Sequence, residues 1–189
     1  MDDPENRRRQ INQLLDELRD SDTQSLTSRD ASVEFDVARN WNIPESDKIA
    51  SESWGLPKNI KPDYFFNKPQ IEHHPQVSFQ SKNFYSIGEI ADDPIVVEPD
   101  SGAVYFLASW SYKKVIFNSS LQGYIKCSWL WRSTLPLLVE MGNLTWTIEQ
   151  FDSHEDEIQE IFECMQRIDP TVVDSRSSMW GEIVFDLLM

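Results

Sequence analysis

The spacing of apolar positions changes along this chain, and the changes separate strands from helices. Ile95 to Val97 and Ala103 to Ala108 are short runs of β-branched and aromatic residues bounded by turn formers, and they read as strands. Between them, Pro99-Asp100-Ser101-Gly102 sets Pro where φ is fixed and Gly where φ can be positive, which predicts a hairpin. A third apolar run, Lys114-Val115-Ile116-Phe117, ends in Asn118-Ser119-Ser120. Each of these three can accept a hydrogen bond from the first free amides of a helix, and Asn118 is the expected cap. Leu121, Tyr124, Ile125, Ser128 and Trp129 then share one face at helical spacing, in a segment running toward Met141. Pro136 is expected to kink or end that helix.

The rest of the chain extends the pattern. Glu5 to Asp20 reads as a helix with a narrow stripe of Ile11, Leu14, Leu15 and Leu18, and Ser21 to Ser32 as a polar loop. Val33, Phe35 and Val37 alternate with Glu34, Asp36 and Ala38, as in a half-buried strand. Pro44 opens a helix with acids in its first turn, and Gly55-Leu56-Pro57 reads as the tight turn that stops it. Asn67 to Ser81, with Pro69, Pro75 and His73-His74, reads as an irregular loop. Asn83 to Ile90 is a strand in which Gly88 marks a bulge or a close backbone approach, and Asp92-Asp93 is the turn before Pro94. Asn143 to Ile148 reads as a linker, and Asp152 to Glu155 has capping-box spacing. Ile158, Ile161, Phe162, Met165 and Ile168 form a helical stripe that Asp169-Pro170 stops. Trp180, Ile183, Val184, Leu187 and Leu188 form the last one.

These elements describe one α+β domain, and 189 residues give it room for a substantial core. Apolar residues at 40 % and seven Trp are enough to fill it. The net charge of −15 disfavours nucleic acid and anionic membranes as partners, because both would repel the chain, and it favours a basic protein. Cys127 and Cys164 lie on apolar helical faces and read as buried inert thiols. The charged start lacks the apolar stretch of a signal peptide, and no run approaches membrane-spanning length, so a cytoplasmic location is expected.

A search for catalytic chemistry returns little. His73 and His74 are adjacent and have no local carboxylate at metal spacing, and His154 sits in an acidic first helical turn. No phosphate-cradling Gly-rich loop and no Gly-x-Ser-x-Gly elbow occurs. No cofactor and no metal is expected. Asp92, Asp93, Glu98 and Asp100 cluster in sequence near the hairpin, where paired carboxylates could do acid/base work or hold a cation. The plainer reading makes them turn residues and solvated strand ends. Asp152, Glu155, Asp156, Glu157, Glu160 and Glu163 follow without an intervening cation. They read as a solvated helix face or as an anionic surface that attracts a cationic protein.

Several short motifs, taken in order, resemble one known family. Trp54-Gly55-Leu56-Pro57 with Tyr64-Phe65-Phe66 resembles the opening of the SUKH superfamily, in its fourth immunity-protein subfamily. Tyr85-Ser86-Ile87-Gly88, the stretch Ile95 to Val104, Phe117-Asn118-Ser119-Ser120-Leu121, Asp169-Pro170 and the Trp180 helix continue the resemblance from about Pro44 to Leu188. Residues 1–43 are expected to form an N-terminal helix, loop and first strand, and 44–189 the SUKH-like domain, in one compact unit with 33–43. The resemblance implies a mostly antiparallel sheet with helices packed around it. It also implies a non-enzymatic protein that binds and neutralises a cognate secreted toxin. Toxins of such systems are often nucleases or nucleic-acid deaminases with basic substrate surfaces, which an acidic binder suits.

The alternatives are a regulatory or scaffold module on the same fold, and an enzyme using the Asp92, Asp93, Glu98 and Asp100 cluster. The expected partner-binding positions are Asp92, Asp93, Glu98, Asp152, Glu155, Asp156, Glu157 and Glu160. Trp54, Gly55, Leu56, Pro57, Asp100, Gly102, Asn118 and Trp180 are expected to be structural, Gly102 through a conformation that Ala resists.

Overall fold

Most of these stripes become regular elements in the computed structural model. The structure describes residues 6, 9–10, 12–14, 16, 32–33, 36–57, 77–90, 92–138, 155–173 and 178–186. The described residues between 6 and 16 are helical, within the expected N-terminal helix. β1 (Ser32–Val33) is followed by a 3-10 helix (Asp36–Asn40), α1 (Glu45–Trp54) and β2 (Leu56–Pro57). Then come β3 (Val77–Phe79), β4 (Lys82–Ile90), β5 (Asp93–Val97), β6 (Val104–Ala108) and β7 (Lys113–Asn118). The helices α2 (Leu121–Leu138), α3 (Glu155–Ile168) and α4 (Met179–Asp186) close the chain.

β3 to β7 form one five-stranded sheet in sequence order, antiparallel throughout, so the α+β expectation holds. The central hairpin pairs Val97 with Val104 and Ile95 with Phe106. Its turn closes with the Gly102 amide donating to the Glu98 carbonyl at 3.0 Å. Gly88 marks a bulge, as expected: the register of β4 on β5 slips between Ser86 and Gly88.

The two faces of the sheet are buried differently. Tyr85, Ile87, Ile95, Val97, Val104, Phe106 and Phe117 point into the main core, which they share with the helices. α2 is its centre. Leu121, Ile125, Cys127, Trp129, Leu130 and Trp131 are all buried, so most of this helix's surface is covered, and it packs on α1, α3, β2 and β7. The stripe Ile158, Ile161, Phe162 and Met165 of α3 is buried beside it. Trp41 stacks on Tyr85 with ring centroids 4.3 Å apart, a pair that contributes about 0.5–1.5 kcal/mol beyond its buried area. On the opposite face Phe84, Val96 and Leu107 form a smaller cluster with Val77, Phe79 and Tyr105, all strand residues among those described.

Several local expectations are corrected. The alternation from Val33 to Val37 does not make one strand, because Asp36–Asn40 is a 3-10 helix. That geometry sets residues three apart on one face, and Ala38 and Trp41 are both buried. Gly55-Leu56-Pro57 is not a tight turn: Leu56–Pro57 is β2, paired with β1 so that Val33 lies opposite Leu56. Part of the expected loop Asn67 to Ser81 is β3, joined to β4 by Gln80 and Ser81, both at positive φ as a type I′ hairpin turn requires. Asp93 belongs to β5, and Asp92 alone turns at φ 69°. Pro44 caps α1 from outside and is not its first residue. α2 passes Pro136 and reaches Leu138. Its extension to Met141, the Asn143–Ile148 linker, Asp63 to Phe66, His73, His74, Asp152, His154, Leu187 and Leu188 lie outside the described residues.

Candidate functional site

β7 hands the chain to α2 at Asn118-Ser119-Ser120, and two aspartates from distant segments meet there. A helix start leaves its first amides without intrahelical partners. Here the Gln122 amide donates to Asp47 Oδ1 of α1 at 2.8 Å, and the Gly123 amide to Ser120 Oγ at 3.0 Å. The cap is therefore Ser120. Asn118 faces inward instead. Its Nδ2 donates to Asp169 Oδ2 at 3.0 Å, and its Oδ1 accepts from Trp180 Nε1 at 3.0 Å. Asp169 also accepts from the Ser119 amide (2.6 Å) and hydroxyl (3.0 Å) and from the Thr171 amide (3.0 Å) and hydroxyl (2.8 Å). One buried carboxylate thus ties the end of α3 to the start of α2, with Asn118 carrying the link on to α4.

The two carboxyls differ in electrostatics. Burial pushes that of Asp47 above the usual carboxylate range, against the pull of the Gln122 and Leu121 amides. Its Oδ2 has no hydrogen-bond partner among the described residues and lies against Gly102, where a Cβ would come within 1.9 Å of it. Burial also raises that of Asp169, but the bonds from Thr171, Asn118 and Ser119 outweigh it and hold the carboxyl below the ordinary 3.8. Both aspartates are at most 2 % exposed, so their carboxyls act on the fold, while Ser119 beside them is exposed.

The other expected structural residues lie nearby. The Gly55 carbonyl accepts from Trp129 Nε1 at 2.9 Å, and Lys126 sits over the half-buried Trp54 ring. Leu56 and Pro57 are buried. Asp100, at φ 67°, donates its amide to the Asn42 carbonyl and accepts from the Asn42 side chain.

The four hairpin acids do not converge. Asp93 and Glu98 sit at opposite ends of β5, roughly 16 Å apart at about 3.3 Å per residue. Asp93 accepts from the Ser109 amide at 3.1 Å. Glu98 is mostly buried and binds Lys82 (3.1 Å) and Lys114 (3.2 Å). Burial raises its pKa, but both lysines and Ser101 outweigh that and hold it low. Asp92 and Asp100 are exposed at opposite ends of the sheet. On α3, Glu160 is half-buried and Glu163 exposed; Glu155, Asp156 and Glu157 lie in the helix, but their side chains are outside the described residues. Among the described residues, no group of three or more His, Cys, Asp and Glu is placed to hold a metal ion. No described helix is long and apolar enough to cross a membrane.

One end of the sheet carries a feature that the spacing did not single out. The β6–β7 turn, Ser109 to Tyr112, projects Trp110 and Tyr112, each 80 % exposed. The Asp93–Ser109 bond sets this turn beside the β4–β5 turn and Asp92. The only signal in the sequence is an aromatic pair spaced by Ser in a turn between strands.

A family model described as SUKH-4 immunity protein matches residues 13–186. The chain belongs to that family. Searches of curated proteins and of solved structures gave no match. Membership of SUKH-4 supports an immunity function, and such immunity proteins are generally non-enzymatic. The segments that carried the resemblance now have places in the SUKH-4 fold: Leu56–Pro57 in β2, the central hairpin, the Asn118 junction, Asp169 and α4.

Proposed function

We propose that this SUKH-4 member protects its producing cell by binding a cognate secreted toxin in the cytoplasm and covering the toxin's basic active-site surface. The toxin is a nuclease or a nucleic-acid deaminase. The family match over residues 13–186 carries the reading, and the −15 net charge supports the choice of toxin class. An enzyme that handles nucleic acid needs a cationic surface for phosphates, and an acidic protein competes for that surface. Attraction of this kind raises the association rate and weakens with salt. Asp92 and the acidic run on α3 are the positions offered for it.

The test is co-expression with the toxin encoded beside this gene, read as growth rescue, together with an in vitro assay of toxin turnover on its nucleic-acid substrate. Rescue and stoichiometric inhibition, both weakened by added salt, are expected. A stable complex in which the toxin keeps full turnover would refute active-site occlusion.

A further inference from the structure

The described tryptophans divide sharply. Trp41, Trp129, Trp131 and Trp180 are at most 1 % exposed and Trp54 is half-buried, whereas Trp110 is 80 % exposed. Tyr112, two residues on, is equally exposed and holds a φ of 53°, where Gly or Asn would be less strained. Neither side chain is buried in the fold. Both rings stand in solvent, and Tyr112 holds a positive φ that Gly would adopt with less strain while its carbonyl accepts from the Gln80 side chain at 3.3 Å. A large aromatic side chain kept exposed at a positive-φ turn position points to use elsewhere. Trp and Tyr are also the residue types that most often anchor protein interfaces.

We infer that the β6–β7 turn is the anchor of the toxin interface, with Trp110 and Tyr112 set into the toxin's cationic surface. This rests on the reading under Proposed function. The occupant follows from charge. At this end of the sheet Asp92 is exposed and Glu89 half-buried, Asp93 is buried on the Ser109 amide, and Lys113 is the exposed cation. The whole chain carries −15, which opposes approach by a second copy. A surface rich in Arg satisfies both features, because a guanidinium stacks on an indole face and pairs with a neighbouring carboxylate.

The experiment measures binding of the double variant W110S/Y112G to the purified catalytic domain of the toxin encoded beside this gene. Its Kd is expected to rise about 100-fold or more, with thermal stability unchanged or higher because the turn is relieved. Asp92→Asn should slow association and flatten its salt dependence. An unaltered Kd in the double variant, while the unaltered chain binds, overturns the anchor and leaves the immunity reading standing. So does a homodimer of the unaltered chain that the double variant abolishes, since the turn would then serve self-association. No binding by the unaltered chain removes the immunity reading and the anchor together. A double variant that loses binding only in proportion to a lost folded fraction also overturns the anchor.

Discussion

Asp169→Asn isolates the junction between β7 and α2. The carboxylate accepts five hydrogen bonds, and Asn replaces one of its oxygens with an NH2. Placed at Oδ2, the NH2 would face the Ser119 amide and Asn118 Nδ2, with donors on both sides. Placed at Oδ1, it meets the Ser119 and Thr171 hydroxyls, which can turn to accept, and opposes only the Thr171 amide. The second arrangement costs less. One lost charge-assisted bond, at about 1.5–3 kcal/mol, and a weakened remainder give a loss of about 3 kcal/mol. For a chain of this length that lowers Tm by roughly 6–12 °C.

The pH dependence carries a sign. The Asp169 pKa is held below its ordinary 3.8, so its contribution is complete above that value and disappears as pH falls through the folded one. The variant has no such group. Urea midpoints should therefore differ by a constant amount from about pH 7 to about pH 5 and converge below about pH 4. A difference under about 1 kcal/mol at neutral pH, or one undiminished at about pH 3, would refute the argument.

Asp47→Asn should show the opposite slope. The folded Asp47 pKa lies above 3.8, so the parent loses stability as pH rises from that value through the folded one, and the variant should gain on it over that window. An unchanged difference across the acid range would count against a strained carboxylate. Gly102→Ala places a Cβ 1.9 Å from Asp47 Oδ2 at φ 72°, and should cost about 2–4 kcal/mol by denaturant titration. A loss under about 0.5 kcal/mol would mean that the contact relaxes freely. Cys127 and Cys164 are at most 5 % exposed, and burial raises the Cys127 pKa, so both thiols should resist maleimide until denaturant is added. Rapid labelling of the native chain would contradict that burial.

The parts of the fold that local chemistry decides were legible. Pro99 and Gly102 set their own turn, Gly88 announced a bulge, and the spacing of Ile158, Ile161, Phe162 and Met165 gave α3. What escaped depends on partners distant in sequence. Asp47 reaches an amide 75 residues away, and Asp169 one 50 residues away, so neither looks like a cap from its neighbours. Asn118 has the composition of a cap, yet burial against Asp169 and Trp180 claims its side chain and leaves capping to Ser120. β3 escaped because Gln80-Ser81 holds a positive-φ turn without the Asn-Gly signature. The four hairpin acids looked like a cluster because they are close in sequence, but a strand separates positions that a turn would gather.

Several residues that carry the family resemblance are buried, whereas Trp110 and Tyr112, proposed for recognition, are exposed. Asn118, Asp169, Trp180 and Gly102 are at the junction and hairpin and are buried. A motif built from them reports the fold, and through the fold an immunity role, but it does not select a toxin. On the proposed reading, selection sits on exposed side chains such as Trp110 and Tyr112. The two sets should then separate by experiment. Asp169→Asn should lower stability yet leave toxin affinity per folded molecule within about 3-fold, whereas W110S/Y112G should weaken affinity about 100-fold with stability intact. If Asp169→Asn instead weakens the folded protein's affinity as much as the turn variant does, junction and turn are coupled, and the division between fold and recognition fails.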